Sequence, residues 1–244
     1  MLLSEISTVW SEVFAAHDAN PATRREAQAA FVHRYSGPVY RYLRTVLGDA
    51  EAADEVFQQF WMGFIEGAFR AVDPSKGRFR DYLKTSLLRM VCRYRRQRTH
   101  LTLTAAEQVA WEAFSTEERL AEAIDAAVRE DLLSRAWLRL KDWQDHTGWP
   151  YFSVLDYRAR YPQATSQQMA RALAGLGSPG TTTAAGIRKT LQRARAKYTN
   201  YLVQELAATL GDPSLDELEE EAIHLGLHAY CRVWLKRRRA ESAR

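Results

Sequence analysis

The sequence predicts an all-α fold of two small helical domains joined by a flexible linker, with a C-terminal helical extension. Three observations predict it. Apolar residues recur at three- and four-residue spacing along most of the chain. Pro and Gly cluster where those repeats stop. No stretch alternates apolar and polar residues over a useful strand length, and no internal repeat is visible. A length of 244 residues suits two small domains, and 46% apolar against 26% charged residues is globular composition.

Leu2, Leu3, Ile6, Val9, Trp10, Val13 and Phe14 form a first amphipathic stripe, punctuated by Asn20-Pro21. A second helix is predicted from about Thr23 to Leu47, with Phe31, Tyr35, Val39, Leu43 and Val46 on one stripe. Gly37-Pro38 threatens a kink or break inside it, and Gly48-Asp49 ends it. From Ala50 to Phe69 the set Val56, Phe57, Phe60, Trp61, Phe64 and Ile65 makes a third stripe, leaving Asp54, Glu55, Gln58 and Gln59 on the other face. Turn chemistry at Asp73 to Gly77 precedes a fourth helix from Arg78 to about Arg98, built on Phe79, Tyr82, Leu83, Leu87, Met90, Val91 and Tyr94.

Thr99 to Ser115 lacks a sustained period and reads as a linker, followed by a helix from about Thr116 to His146. Gly148-Trp149-Pro150 breaks it; a helix from Tyr151 to Tyr161 follows, stopped by Pro162. Ser166 is the N-cap candidate for Gln167 to Leu176. After the turn Gly177 to Gly180, Thr181 to Leu210 reads as one long helix, basic in its first half. Beyond Gly211-Asp212-Pro213, an acidic helix from Leu215 to about Leu227 runs into Ala229 to Arg239.

The formal charge of +4 is modest, but its distribution is uneven. Lys84 to Arg98 holds six basic residues and no acidic one; Glu112 to Asp131 holds seven acids against two arginines; Asp212 to Glu221 holds six acids. Such segregation predicts surfaces with different partners. Only Cys92 and Cys231 are present, which is no disulfide framework. With no signal-like start and no span of roughly 20 apolar residues, a cytoplasmic protein without membrane contact is expected.

Ser166 to Lys197 has the layout of a helix-turn-helix, whose second helix lies in the major groove. Arg188, Lys189, Arg193, Arg195 and Lys197 then reach phosphates, while Thr182, Thr183, Arg188, Lys189 and Gln192 near its start stand near base edges. An ordinary exposed basic helix after a tight turn explains the same spacing. In Lys76 to Arg98, basic residues interleave with Phe79 and Tyr82, a pattern that suits an unpaired strand, through phosphate neutralisation and stacking. Equally, the two rings are core and the arginines a solvated face. Neither a Gly-rich phosphate loop nor a nucleophile with a partnered base is present, so no enzyme activity and no cofactor are expected. His224, His228 and Cys231, at i, i+4 and i+7, are acceptable zinc ligand types, but no second ligand cluster approaches them and no metal is expected.

Gly48-Asp49-Ala50-Glu51-Ala52-Ala53-Asp54-Glu55-Val56-Phe57-Gln58-Gln59-Phe60-Trp61 resembles the second conserved region of extracytoplasmic-function (group 4) sigma factors of bacterial RNA polymerase. Lys76 to Leu83 is similar to that family's Gly-x-Phe-Arg-x-Trp-Leu signature, with Tyr82 in place of the tryptophan, and Ile187 to Tyr198 resembles the start of its recognition helix. The resemblance implies a region 2 bundle over 1–98, an acidic linker over 99–128, a region 4 helix-turn-helix domain over 129–210 and an extension over 211–244. It implies that Asp54, Glu55, Gln58 and Gln59 dock on core polymerase. Ser75, Lys76, Arg78, Arg80, Tyr82, Lys84, Arg89, Arg93 and Arg96 would capture the −10 strand, and Thr182, Thr183, Arg188, Lys189, Gln192, Arg193 and Arg195 would read the −35 duplex. Arg89 and Arg93 stand where the family has asparagine and aspartate, implying a divergent promoter preference, and the turn before Thr182 is longer than usual. The acidic segment fits either the family's channel-threading linker or a solvated helix start. The basic run Lys236 to Arg239 either adds phosphate attraction or is a soluble end. The resemblance to long-tailed members implies a protein kinase, or regulation by the tail itself, and the family resemblance also admits an anti-sigma protein as a further partner. The rival expectation is a free-standing helix-turn-helix regulator, in which Asp54 and its neighbours have no assigned role.

Overall fold

The computed structural model describes residues 8–70, 72–73, 79–99, 117–176, 181–210 and 213–242. All regular structure among them is helical: α1 (Thr8–Ala15), α2 (Pro21–Leu47), α3 (Ala50–Glu66), α4 (Phe79–Thr99), α5 (Glu117–Thr147), α6 (Tyr151–Arg160), α7 (Ser166–Leu173), α8 (Ala184–Leu210), α9 (Leu215–His224) and α10 (His228–Ser242). A 3-10 turn, Ala174–Leu176, extends α7. The expected residues Leu2, Leu3 and Ile6, most of the 99–115 linker and the turn Gly177 to Gly180 lie outside the described residues. No described helix is long and apolar enough to cross a membrane. The described chain forms two compact units that divide within α5, between Asp131 and Leu132.

In the first unit α2 packs against α1, α3 and α4, and aromatic rings fill the space between them. Phe31 of α2 is fully buried, stacks on Phe64 of α3 at 4.5 Å, and meets the edge of Phe79 of α4 at 5.1 Å. Phe79 in turn meets Trp10 of α1 at 5.2 Å. Edge-to-face and offset contacts of this kind add to the burial of large rings.

Gly37-Pro38 does not break α2, which is continuous from Pro21 to Leu47 with Pro38 buried inside it. An interior proline costs about 3 kcal/mol. Around it Tyr35, Val39, Tyr42 and Leu43 are all buried, and side chains of that size are worth about 1.5 to 3 kcal/mol each. Packing therefore outweighs the local defect. Gly37 has a separate use: a Cβ there would lie 2.7 Å from Oδ1 of Asp131, whose carboxylate accepts from Nη2 of Arg41. The glycine lets the α5 aspartate reach α2.

The helix ends are closed by specific groups. Gly48, in the left-handed region at φ 71°, caps α2 by donating to the Arg44 carbonyl, and the Asp49 carboxylate accepts from the Ala52 amide to start α3. Arg95 of α4 donates to the Leu47 carbonyl at 2.9 Å, satisfying one of the carbonyls that the end of α2 leaves open. The third helix stops at Glu66, before the expected Phe69, because Gly67 adopts φ 101° and turns the chain; Phe69 is still buried, beyond the turn.

The second unit holds the later part of α5 and α6 to α10. The cap of α7 is Thr165, one residue before the expected Ser166. Thr165 and Gln168 form a reciprocal capping box, whereas Ser166 has Met169 three residues on and no such partner. Val154 of α6, Met169, Ala170 and Leu173 of α7, and Ile187 and Leu191 of α8 form one buried cluster. Thr183 Oγ1 accepts from the Gly186 amide at 3.0 Å, so α8 begins at Ala184, three residues after the expected Thr181. The extension is two helices: the chain turns at Leu225 to Leu227, with Gly226 at φ 67°, and α10 then pairs with α9.

Two expectations follow. Gly37→Ala should lower stability by about 1 to 3 kcal/mol through the clash with Asp131. Chemical denaturation should show part of that stability recovered in the Gly37→Ala/Asp131→Ala double variant, a non-additivity expected only for residues in contact. Arg95→Ala should cost about 1 to 2 kcal/mol, since it removes a charged hydrogen bond to a helix end. Arg93→Ala and Arg96→Ala, both exposed, should stay within about 0.5 kcal/mol in the same experiment.

Candidate nucleic-acid interface

The polar face expected on α3 is formed. Val56, Phe60, Trp61 and Phe64 turn inward, and Asp54, Glu55, Gln58 and Gln59 are exposed on the opposite side. Gln59 donates to Glu55 at 3.2 Å. The Asp54 carboxylate accepts from the Tyr40 hydroxyl and pushes its pKa up; Tyr94 is also raised, by burial first. Met62 and Ile65 are more than half exposed on the same helix, so Ile65 is not the core residue expected of it. Spacing alone did not separate Ile65 from Phe64, because both lie near the boundary of the apolar stripe. The face therefore combines acid, amide and apolar groups.

On α4 the residues Leu83, Leu87, Val91 and Tyr94 are buried, which leaves Arg89, Arg93 and Arg96 exposed at i, i+4 and i+7. They form one guanidinium stripe. Phe79 is core, at 3% exposure, while Tyr82 is only half-buried, beside Phe69 at 5.3 Å. Phe79 is thus a core ring, and Tyr82 packs against Trp10 and Phe69 while keeping part of its surface open. Ser75, Lys76 and Arg78 lie outside the described residues, and Arg80 is on the first turn of α4.

Lys84 differs from the arginines of its helix. Its ammonium donates to Asp125 of α5 at 2.7 Å, and both side chains are largely buried. Asp131, only 8% exposed, holds Arg41. Two acids of the Glu112 to Asp131 segment are therefore spent inside the first unit. A solvated helix start does not describe them.

In the second unit, the sequence-predicted residues of α8 lie at the surface: Thr182 and Thr183 before the helix, then Arg188, Lys189, Gln192, Arg193 and Arg195. Arg188, Gln192 and Arg195 recur at i, i+4 and i+7 and share a face. No carboxylate pairs with Arg188, Arg193 or Arg195 among the described residues. Lys197, by contrast, stands over the Trp143 ring at 4.9 Å, and Arg158 donates to the carbonyls of Pro162 and Ala164. Those two cations are structural.

His224, His228 and Cys231 do not lie on one helix, because the turn at Gly226 separates α9 from α10. His228 pairs with Glu219 at 3.1 Å, and burial pushes the Cys231 thiol up to about 11. Among the described residues no group of three ligand side chains converges.

Neither a curated protein nor a solved structure matches the chain. Residues 31–100 match the family model of Sigma-70 region 2. That segment opens on Phe31, the central ring of the first unit, and contains the exposed α3 face and the α4 arginine stripe. The match makes that segment, less than a third of the 244-residue chain, similar to region 2 of sigma-70 factors.

Proposed function

We propose that the chain is a sigma factor of the extracytoplasmic-function type. In this reading α3 docks on core polymerase, the α4 side of the first unit captures the −10 strand, and α8 of the second unit reads the −35 duplex. The observation that carries the reading is the pairing of two exposed, chemically opposite faces within residues 31–100. One is the acid and amide face of α3, the other the guanidinium stripe of α4.

The physical division of labour is direct. Asp54 and Glu55 repel phosphate, so α3 suits a protein partner, and the exposed Met62 and Ile65 supply the apolar area that a protein interface uses at its centre. Arg89, Arg93 and Arg96 attract a phosphate backbone, and the half-buried Tyr82 offers a ring face near the start of that stripe. A displaced base stacked there would recover part of its unstacking cost, with phosphate contacts supplying the rest. In the second unit the Thr165 cap and the buried cluster of Met169, Leu173 and Ile187 hold α7 against α8. That is the arrangement in which a second helix enters the major groove. Arg188, Lys189 and Gln192 near the start of α8 then approach base edges, with Arg193 and Arg195 on phosphates. Arg89 and Arg93 support a promoter preference of its own at the −10 element.

Reconstitution with core polymerase followed by transcript-start sequencing should give starts that share a −35/−10 pair. A free-standing regulator would add no initiation. Asp54→Lys/Glu55→Lys should weaken core binding by several kcal/mol, roughly a hundredfold or more, through like-charge repulsion and the removal of polar partners. The melting curve should stay nearly unchanged because both residues are exposed. Unchanged core affinity would remove α3 from the interface.

A further inference from the structure

The face of α8 that carries Arg188, Gln192 and Arg195 continues along the helix to Thr199. At that point the C-terminal extension is fastened to it. Thr199 Oγ1 donates to the Tyr230 carbonyl of α10, and Trp234 Nε1 donates to Asn200 Oδ1, each at 3.3 Å. Cys231 and Leu235 are buried on the inner side of α10. The outer side, with Arg237 and Arg238, faces a cleft of 1480 Å³ whose other wall includes Arg188, Gln192 and Arg195.

The charges in that cleft are unbalanced. Glu241 lies 2.8 Å from Arg237 and 3.7 Å from Arg238, one carboxylate shared by two guanidiniums. Arg237 and Arg238 are more than half exposed, so their pairing with Glu241 is worth little and exchanges readily for another anion. Guanidiniums from two separate elements line the one cleft, where Glu241 is the only acid among the lining residues, and that balance suits a polyanion. Arg188 and Arg195 stand seven residues apart on that face of α8, about 10 Å. That length exceeds a single anion and matches several consecutive phosphates of one strand, spaced about 3.4 Å along the duplex axis.

We infer that α10 is a second DNA-binding element: Arg237 and Arg238 grip the phosphate backbone of the duplex that α8 reads, so the extension lengthens the −35 footprint. The inference rests on the reading of α8 as the duplex reader. The sign of the charge decides between helping and hindering. An acidic helix fixed on that stripe would repel the duplex, whereas α10 is basic over Lys236 to Arg239, and the acids of the extension are concentrated in α9.

The test is the salt dependence of binding of the full-length protein to a short labelled duplex of mixed sequence, since backbone binding is sequence-independent. Arg237→Ala/Arg238→Ala should flatten the slope of log K against log salt by about 0.9 for each phosphate that is no longer neutralised. Arg188→Ala/Arg195→Ala, the reference arm, should flatten it similarly. Glu241→Gln should tighten binding at low salt by freeing both guanidiniums. An unchanged slope for the α10 pair, with a flatter one for the α8 pair, overturns the inference and leaves the reading of α8 intact. Tighter binding after removal of Arg237 and Arg238 makes α10 an obstacle and also overturns it. Release of the duplex by ATP at matched ionic strength assigns the cleft to a small nucleotide instead. If neither pair alters the slope, the reading of α8 fails as well.

Discussion

The contact on which the first unit depends is the stack of Phe31 on Phe64. Phe31 is fully buried and lies within ring-contact distance of Tyr35, Trp61, Phe64 and Phe79, which come from α2, α3 and α4. Removing a ring from such a site costs about 3 to 5 kcal/mol, a large share of the stability of a small domain. The functional consequence is orientation. With Phe64 and Trp61 held inward, Asp54, Glu55, Gln58 and Gln59 have no choice but to face out. With Phe79 held inward at the start of α4, the 3.6-residue period carries Arg89, Arg93 and Arg96 to the surface. One apolar cluster thus sets the direction of two polar surfaces.

This dependence explains what was legible in the sequence. The stripes on α2, α3 and α4 could be read because their apolar period agrees with a helix throughout, and local and global preferences coincide there. The exposed positions expected on α3 and α8 follow from the same period. What escaped was set by contacts across the sequence. Proline at position 38 signals a break locally, yet Tyr35, Val39, Tyr42 and Leu43 bury enough surface to keep the helix whole. Gly37 reads as a breaker until Asp131, 94 positions away, is seen against it. The cap at Thr165 was within reach of sequence reasoning, since Thr-x-x-Gln is a capping pair and Ser-x-x-Met is not. Gly226 signalled the turn between α9 and α10, but the apolar period continues across it and masked the interruption.

Charge was the less legible layer. Counting six bases between Lys84 and Arg98 does not say which are available to a partner. Lys84 is held by Asp125, Arg95 by the carbonyls at the end of α2, and Arg98 lies near Asp49 at 3.8 Å. The same sorting operates in the second unit. Arg139 is committed to Glu205 and Gln204, Arg158 to two carbonyls and Lys197 to aromatic faces. The cations that hold the fold and those that face outward have identical side chains and differ only in whether a partner lies within reach.

That sorting gives the modest net charge its meaning. A formal charge of +4 would by itself exert only weak, screened attraction on nucleic acid. Acids at Asp125, Asp131 and Glu205 pair with cations inside the two units, while Arg89, Arg93 and Arg96 of α4 and Arg188, Arg193 and Arg195 of α8 face outward. Phosphate binding depends on the number of cations that meet the backbone together, because each displaced counterion adds to the free energy. Burying the acids against structural cations therefore strengthens the two stripes without raising the total charge. Under the proposed function Asp125 and Asp131 act from the inside, by occupying Lys84 and Arg41 and leaving the exposed arginines of α4 without a buried acid opposite them.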